Sequence, residues 1–203
     1  MITLPMALMD LVPVMLFIIA AVILQRGLYD CMSKGSFALF SGGTVMICAA
    51  GLFKFTWKLL MALDICDFER LNQCFFPMQS VGFLLAGIAS VAFVFFPQKN
   101  EHKFDRAAGA MLIAGKYSGT MIFVSAMILG TLGLCLGLAV ESKRRNRILP
   151  MIMFILSFVF MLMMGYLSSK DFDKASMNWI AQGVNVIGQS IFLIGAVSLT
   201  KRS

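Results

Sequence analysis

The stretch NWIAQGVNVIGQ, residues 178–189, sets Asn178, Gln182, Asn185 and Gln189 at steps of 4, 3 and 4. On an α-helix that spacing draws one stripe. Four carboxamides donate and accept hydrogen bonds without carrying charge, so the chemistry they offer is recognition rather than bond making. The run around them is apolar, and an amide facing hydrocarbon without a partner costs several kcal/mol. The stripe must therefore face protein or water. Two uses fit: bonds to neighbouring helices, with Gly183 and Gly188 allowing close approach, or the lining of a hydrated path for a neutral or zwitterionic solute.

Asp10 is the one acid inside an apolar segment, and an ionisable group at that depth is a functional candidate. In MDLVPV it also has the form of a helix N-cap, with Pro13 in the first turn where a missing N–H costs little. If it is buried instead, Lys54 or Lys58 is the nearest counter-charge, because in an antiparallel hairpin the start of the first helix and the end of the second share a side. Gln79 and Ser80, beside Pro77 early in the third helix, fall on that side too. Asp10, Gln79 and Ser80 thus join the four amides as candidate solute-binding residues, around one vestibule.

Bond-making chemistry finds little support. The single histidine, His102, lies in the charged stretch QKNEHKFDR, so neither paired-histidine haem ligation nor a histidine metal cluster is expected. There is no Gly-x-Ser-x-Gly elbow and no phosphate-binding glycine loop. Cys31, Cys48, Cys66, Cys74 and Cys135 include no Cys-x-x-Cys pair, although Cys66 and Cys74 share one connection and could bridge there. Asp64, Asp67 and Glu69, close to Arg70, read as solvated pairs. The expectation is a protein that is not an enzyme, with no cofactor and no metal.

The elements that must position these residues follow from hydropathy. Hydrophobic residues make up 60% of the chain and charged ones 13%, more apolar surface than a water-soluble domain of this size can cover. Apolar runs long enough for a hydrocarbon core of ~30 Å fall at 6–24, 36–53, 75–96, 118–140, 148–166 and 177–199. The fold class is all-α: a polytopic integral membrane protein with six transmembrane helices in a single domain, 1–203. MITLPMALMD lacks a basic leader, which points to a first helix that is retained, and the location expected is the plasma (cytoplasmic) membrane. Small residues recur at four-residue steps in Ala38 and Gly42, in Gly82, Ala86 and Ser90, and in Gly133 and Gly137, the spacing of close helix packing. SGGT, residues 41–44, and Pro77 raise the alternative of broken helices.

The formal charge of +7 lies mostly in the connections, where it meets anionic head groups of the lipid bilayer rather than nucleic acid. With six alternating spans, one side collects nine Lys/Arg and the other eight, so the basic ESKRRNR turn, 141–147, decides: both termini are expected in the cytoplasm. Residues 97–117 are read as interfacial or re-entrant, and Lys54, Trp57 and Lys58 as an interfacial anchor with snorkelling lysines. CDFERLNQCF, 66–75, and KDFDKASMNW, 170–179, echo each other. Either the match is chance, or 1–96 and 107–203 are inverted three-helix repeats of the transporter kind. Two functions are expected to compete: a permease or channel-like protein for a small polar solute, and a non-catalytic subunit or sensor whose stripe docks a homo-oligomer or membrane partner subunit.

Overall fold

The computed structural model describes residues 4–95, 120–168 and 175–201. Among them the secondary structure is entirely helical: α1 (Leu4–Leu28), α2 (Lys34–Ala62), α3 (Glu69–Phe95), α4 (Thr120–Arg144), α5 (Ile148–Ser168) and α6 (Ala175–Thr200). All six are long and apolar enough to cross a membrane, as the hydropathy runs predicted. Local chemistry sets their ends. Ser33 caps α2 by accepting the Ser36 N–H at 3.2 Å. The C-termini of α2 and α4 close with Asp64 and Asn146 in the left-handed region, φ 52° and 55°. There the following N–H groups, of Ile65 and Arg147, reach back to the carbonyls of Leu60 and Ser142. That is the double hydrogen bond of a Schellman end, made with short polar residues where glycine is usual.

Each helix packs on its chain neighbours, and α6 closes the ring against α1. The directions within the ring are not those of simple alternation. α2 runs antiparallel to α1, with Gln25 bonded to Thr44 and Asp10 paired with Lys58. α3 returns antiparallel to α2. α4 then runs parallel to α3: Phe76 meets Phe123, Gly133 packs on Gly87, and Gly137 lies on Ser90. α5 turns back after residues 145–147, and α6 runs antiparallel to it, with Gly188 against Phe160 and Gly195 against Phe154. α6 is therefore parallel to α1, with Gln182 at Met6 and Thr200 at Gly27.

Two expectations change on this geometry. Leu4 and Thr200 stand at opposite ends of the bundle, so the two ends of the described chain do not share a side. The halves α1–α3 and α4–α6 also enter in the same sense, so any repeat between them is parallel rather than inverted. The predicted interfacial segment 97–117 lies outside the described residues. The ends that flank it, Phe95 and Thr120, are on opposite sides of the bundle, whereas alternation had put them on one.

Glycine faces set the tight contacts. A methyl on Gly43 would meet the Ala86 nitrogen at 2.6 Å, and one on Gly137 the Ser90 carbonyl carbon at 2.7 Å. Only a hydrogen fits at either place. Gly42, the residue singled out by the four-step pattern, has open space instead, so the packing seam of α2 lies one residue later. With α2 on one face and α4 on the other, half of the apolar window of α3 is buried, against 17% for α5. Neither SGGT nor Pro77 breaks its helix.

Mid-bundle, Phe17, Phe83, Phe154 and Phe192 from α1, α3, α5 and α6 are all at most 5% exposed. Their rings run in a chain across the ring of helices. Phe17 stacks on Phe192 at 5.7 Å, Phe17 tilts against Phe83 at 6.3 Å, and Phe154 meets Phe192 edge-on at 5.5 Å. Such pairs add about 0.5–1.5 kcal/mol each beyond area burial, and together they join α1, α3, α5 and α6 through apolar rings.

Candidate functional site

Of the buried polar residues, Lys58 and Gln182 lie on the side of that aromatic layer toward the start of α1, with half-buried Asp10 and Asn178 beside them, while Thr44, Ser90, Glu141 and Ser142 are buried on the other side. Helix α1 begins at Leu4 and carries Pro13 within it, so Asp10 is no N-cap. It lies in the helix, one turn before the proline and, at 1.5 Å per residue, roughly 10 Å from the depth of Phe17. Its partner is Lys58, whose Nζ stands 2.5 Å from Asp10 Oδ2, with side chains 9% and 15% exposed. Lys58 therefore does not snorkel outward as an anchor would; it turns inward, because the carboxylate across the α1–α2 seam would otherwise be a buried, unpaired charge. The approach lies off the hydrogen-bond axis, so Oδ2 has a charge partner but no aligned donor. Lys54, one turn away, caps the Phe75 ring at 4.3 Å, and Trp57 donates its indole N–H to Asp67 at 3.0 Å.

The first two amides of the stripe face α1, one of the inward directions its spacing allowed. Asn178 donates to the Met6 sulfur at 3.2 Å, and Gln182, 3% exposed, donates to the Met6 carbonyl at 3.3 Å. Met6 is one turn before Asp10, so these amides and the ion pair adjoin along α1. Two of the four amides therefore bond helix to helix within the chain. The stripe is not fully spent on that role. Gln182 Oε1 is buried with no hydrogen-bond partner, and so is Gln189 Oε1. Gln189 precedes Phe192 by three residues, about 4.5 Å of helix, which brings the stripe down to the aromatic layer. Asn185 between them is half-buried.

Gln79 and Ser80 do not join the constellation by any direct contact. Ser80 is fully buried and its hydroxyl is used up on the Phe76 carbonyl at 2.8 Å in its own helix. Ser90, Thr131, Ser142, Ser190 and Thr200 bond their own preceding turn in the same way, so these hydroxyls hold helix backbone rather than solute. Gln79 is half-buried, with no side-chain hydrogen bond among the described residues. The sequence reading missed the bond from Gln25 to Thr44, 2.8 Å across the α1–α2 seam. Its only signal was an amide one residue past the first apolar run. Cys66 and Cys74 are both free and exposed, so no bridge joins them, and among the described residues no three His, Cys, Asp or Glu side chains come together.

The opposite end is built differently. Arg145 donates to Glu141 at 2.8 Å and to the Cys31 sulfur at 3.5 Å. Burial works against its charge, but the bond and charge of Glu141, with Cys31 beside them, hold the guanidinium above its ordinary range. Arg147 donates from Nη1 to the carbonyls of Ser198 and Lys201, at 2.8 and 2.6 Å, and so ties off the last turn of α6, where carbonyls lack helical donors.

No family model, curated protein or solved structure matches the chain. Its function has to be argued from this geometry.

Proposed function

We propose that the chain is a membrane transport-type protein, a permease or channel-like bundle for a small polar solute, in a cytoplasmic membrane. The observation that carries this reading is the Asp10–Lys58 ion pair standing inside the helix walls beside a buried, unpaired amide oxygen of Gln182. A purely structural bundle gains little by burying such groups, since an ion pair in an apolar interior tends at best to break even with hydrophobic replacements. Buried acceptors without donors cost about 1–3 kcal/mol each. Both expenses make sense if a hydrated solute supplies the missing bonds. In this reading the ion pair guards the approach, Gln182 and Gln189 offer acceptors along α6, and the phenylalanine layer is the barrier that opens during passage. Charges of both signs beside uncharged amides suit a neutral or zwitterionic molecule. No reaction is assigned, and no cofactor.

The alternative role, a stripe that docks partner helices, is weakened because Asn178 and Gln182 already bond to α1 of the same chain. The test is uptake into proteoliposomes of labelled glycine, alanine, glycerol and urea. At least one should enter faster than into protein-free vesicles, and Gln182→Leu with Gln189→Leu should abolish the difference while the purified protein stays monodisperse. Uptake no faster than in empty vesicles, or uptake indifferent to the double substitution, refutes transport by this route. Loss of assembly in the variant would return the stripe to a packing role.

A further inference from the structure

The parallel pairs α3–α4 and α1–α6 re-sort the charges. At the end where α1 begins, the described cations are Lys54, Lys58 and Arg70. Lys58 is spent on Asp10 and Lys54 lies over Phe75, so Arg70 is the rim cation, among exposed Asp64, Asp67 and Glu69. At the other end Arg26 and Lys34 flank the α1–α2 turn, while Lys143, Arg144, Arg145 and Arg147 crowd the α4–α5 turn. Lys201 follows α6. Only Asp30 and Glu141 oppose these seven. Simple alternation had put eight of these ten on one side with only Arg26 and Lys34 opposite, its near-even count coming from all seventeen Lys and Arg. The helix directions instead join Arg26 and Lys34 to the α4–α5 turn and part Lys54, Lys58 and Arg70 from it. Once the helix directions are known, the described cations divide seven to three.

Cations in short connections beside apolar spans are retained on the cytoplasmic side, and each Lys or Arg near an anionic leaflet gains about 1 kcal/mol. The basic end also has a shape that suits head groups. An open cleft of about 340 Å³ between the start of α5 and the end of α6 is lined by Arg147, Ser198 and Lys201 together with Ile148, Leu149 and Pro150, with Ile148 and Leu149 among the exposed apolar residues. Cationic side chains beside exposed apolar ones are the pairing of groups that a phospholipid head and its first carbons meet.

We infer that the Arg147 end is the interface with the anionic phospholipid head groups of the cytoplasmic leaflet, and that the Asp10–Lys58 end faces the opposite side of the membrane. The α1 start is then extracytoplasmic, the α6 end is cytoplasmic, and the vestibule receives whatever it binds from outside. This replaces the expectation that both ends lie in the cytoplasm, and it stands or falls independently of transport.

Two native cysteines report it. Cys31 and Cys66 are both exposed, the first at the basic end and the second at the Asp10 end. The full chain is made with Cys66 as its sole cysteine, and separately with Cys31 as its sole cysteine, the others replaced by Ser or Ala. Each is expressed in bacterial cells and converted to spheroplasts, which are treated with a membrane-impermeant maleimide before and after permeabilisation. Cys66 should label fully in intact spheroplasts and Cys31 only after permeabilisation. Labelling of Cys31 in intact spheroplasts, or protection of Cys66 there, overturns the assignment. A second variant carries Arg26→Gln, Lys34→Gln, Lys143→Gln and Arg144→Gln in the Cys66-only chain, leaving three described cations at each end. Labelling of Cys66 in intact spheroplasts should fall as the preference that these four cations contribute is lost. Unchanged labelling would mean that these cations, and the head groups they meet, do not set the orientation.

Discussion

The two ends of the bundle use the same residue types to opposite effect. At the Arg147 end, cations meet acceptors that any helix terminus provides: the carbonyls of Ser198 and Lys201, and a carboxylate one turn back at Glu141. Those bonds complete the fold and leave little unmet. At the Asp10 end the charges sit inside the helices rather than past them, and the pairing is between side chains of different helices. Buried acceptors there remain without donors. The difference separates charge that ties off helix ends from charge paired between helices inside the bundle. Between the two ends lie the packed rings of Phe17, Phe83, Phe154 and Phe192.

That contrast can be broken by experiment, and the largest effect should come from the ion pair. Lys58→Met leaves an uncompensated carboxylate inside the bundle and should destabilise the detergent-solubilised protein by about 3–5 kcal/mol, read by thermal or denaturant unfolding. Adding Asp10→Leu should restore most of that stability, since apolar residues can replace a buried pair at little cost, and on the proposed transport reading it should not restore uptake. If the double variant transports normally, the two ends differ in burial only. Next in size, Arg147→Ala removes charged bonds to two carbonyls and should cost about 1.5–3 kcal/mol. Hydrogen exchange should quicken in the last turn of α6 and leave uptake intact. A smaller effect, about 0.6–1.7 kcal/mol, is expected for Gln25→Leu, which breaks the amide bond to Thr44 across α1 and α2. The smallest should be Trp57→Phe, which loses only an exposed bond to Asp67, a change within about 0.5 kcal/mol. A Trp57→Phe cost as large as that of Lys58→Met would erase the distinction between rim and interior.

Much of this was legible before any coordinates. The amide spacing predicted an inward stripe, and Gln182 and Gln189 are both buried on it. Hairpin topology offered Lys54 or Lys58 as the counter-charge if Asp10 was buried rather than a helix cap, and the structure selects Lys58. Gln79 and Ser80 were placed at the right depth but not in contact, because depth along a helix follows from counting while the direction of a side chain depends on helix rotation. Lys58 was read as an outward anchor since nothing local distinguishes it from Lys54; only the carboxylate on the neighbouring helix does. The Phe17–Phe83–Phe154–Phe192 layer left no trace among nineteen phenylalanines, as it joins four helices that are distant in sequence.

What the sequence determined by itself is the class of structure: six helices of bilayer length, and polar groups that hydrocarbon would penalise and so drive inward. These follow from solvation, which acts residue by residue and turn by turn. Only the tertiary structure decided that α4 lies parallel to α3 and α6 to α1, and through that which cations share a side. Direction is a long-range property, carried by glycine seams such as Gly87 against Gly133, whose closeness depends on residues far apart in the chain. Alternation along the sequence had grouped the α4–α5 turn with Lys54, Lys58 and Arg70, whereas the seams, by fixing which way each helix points, group it with Arg26 and Lys34 instead.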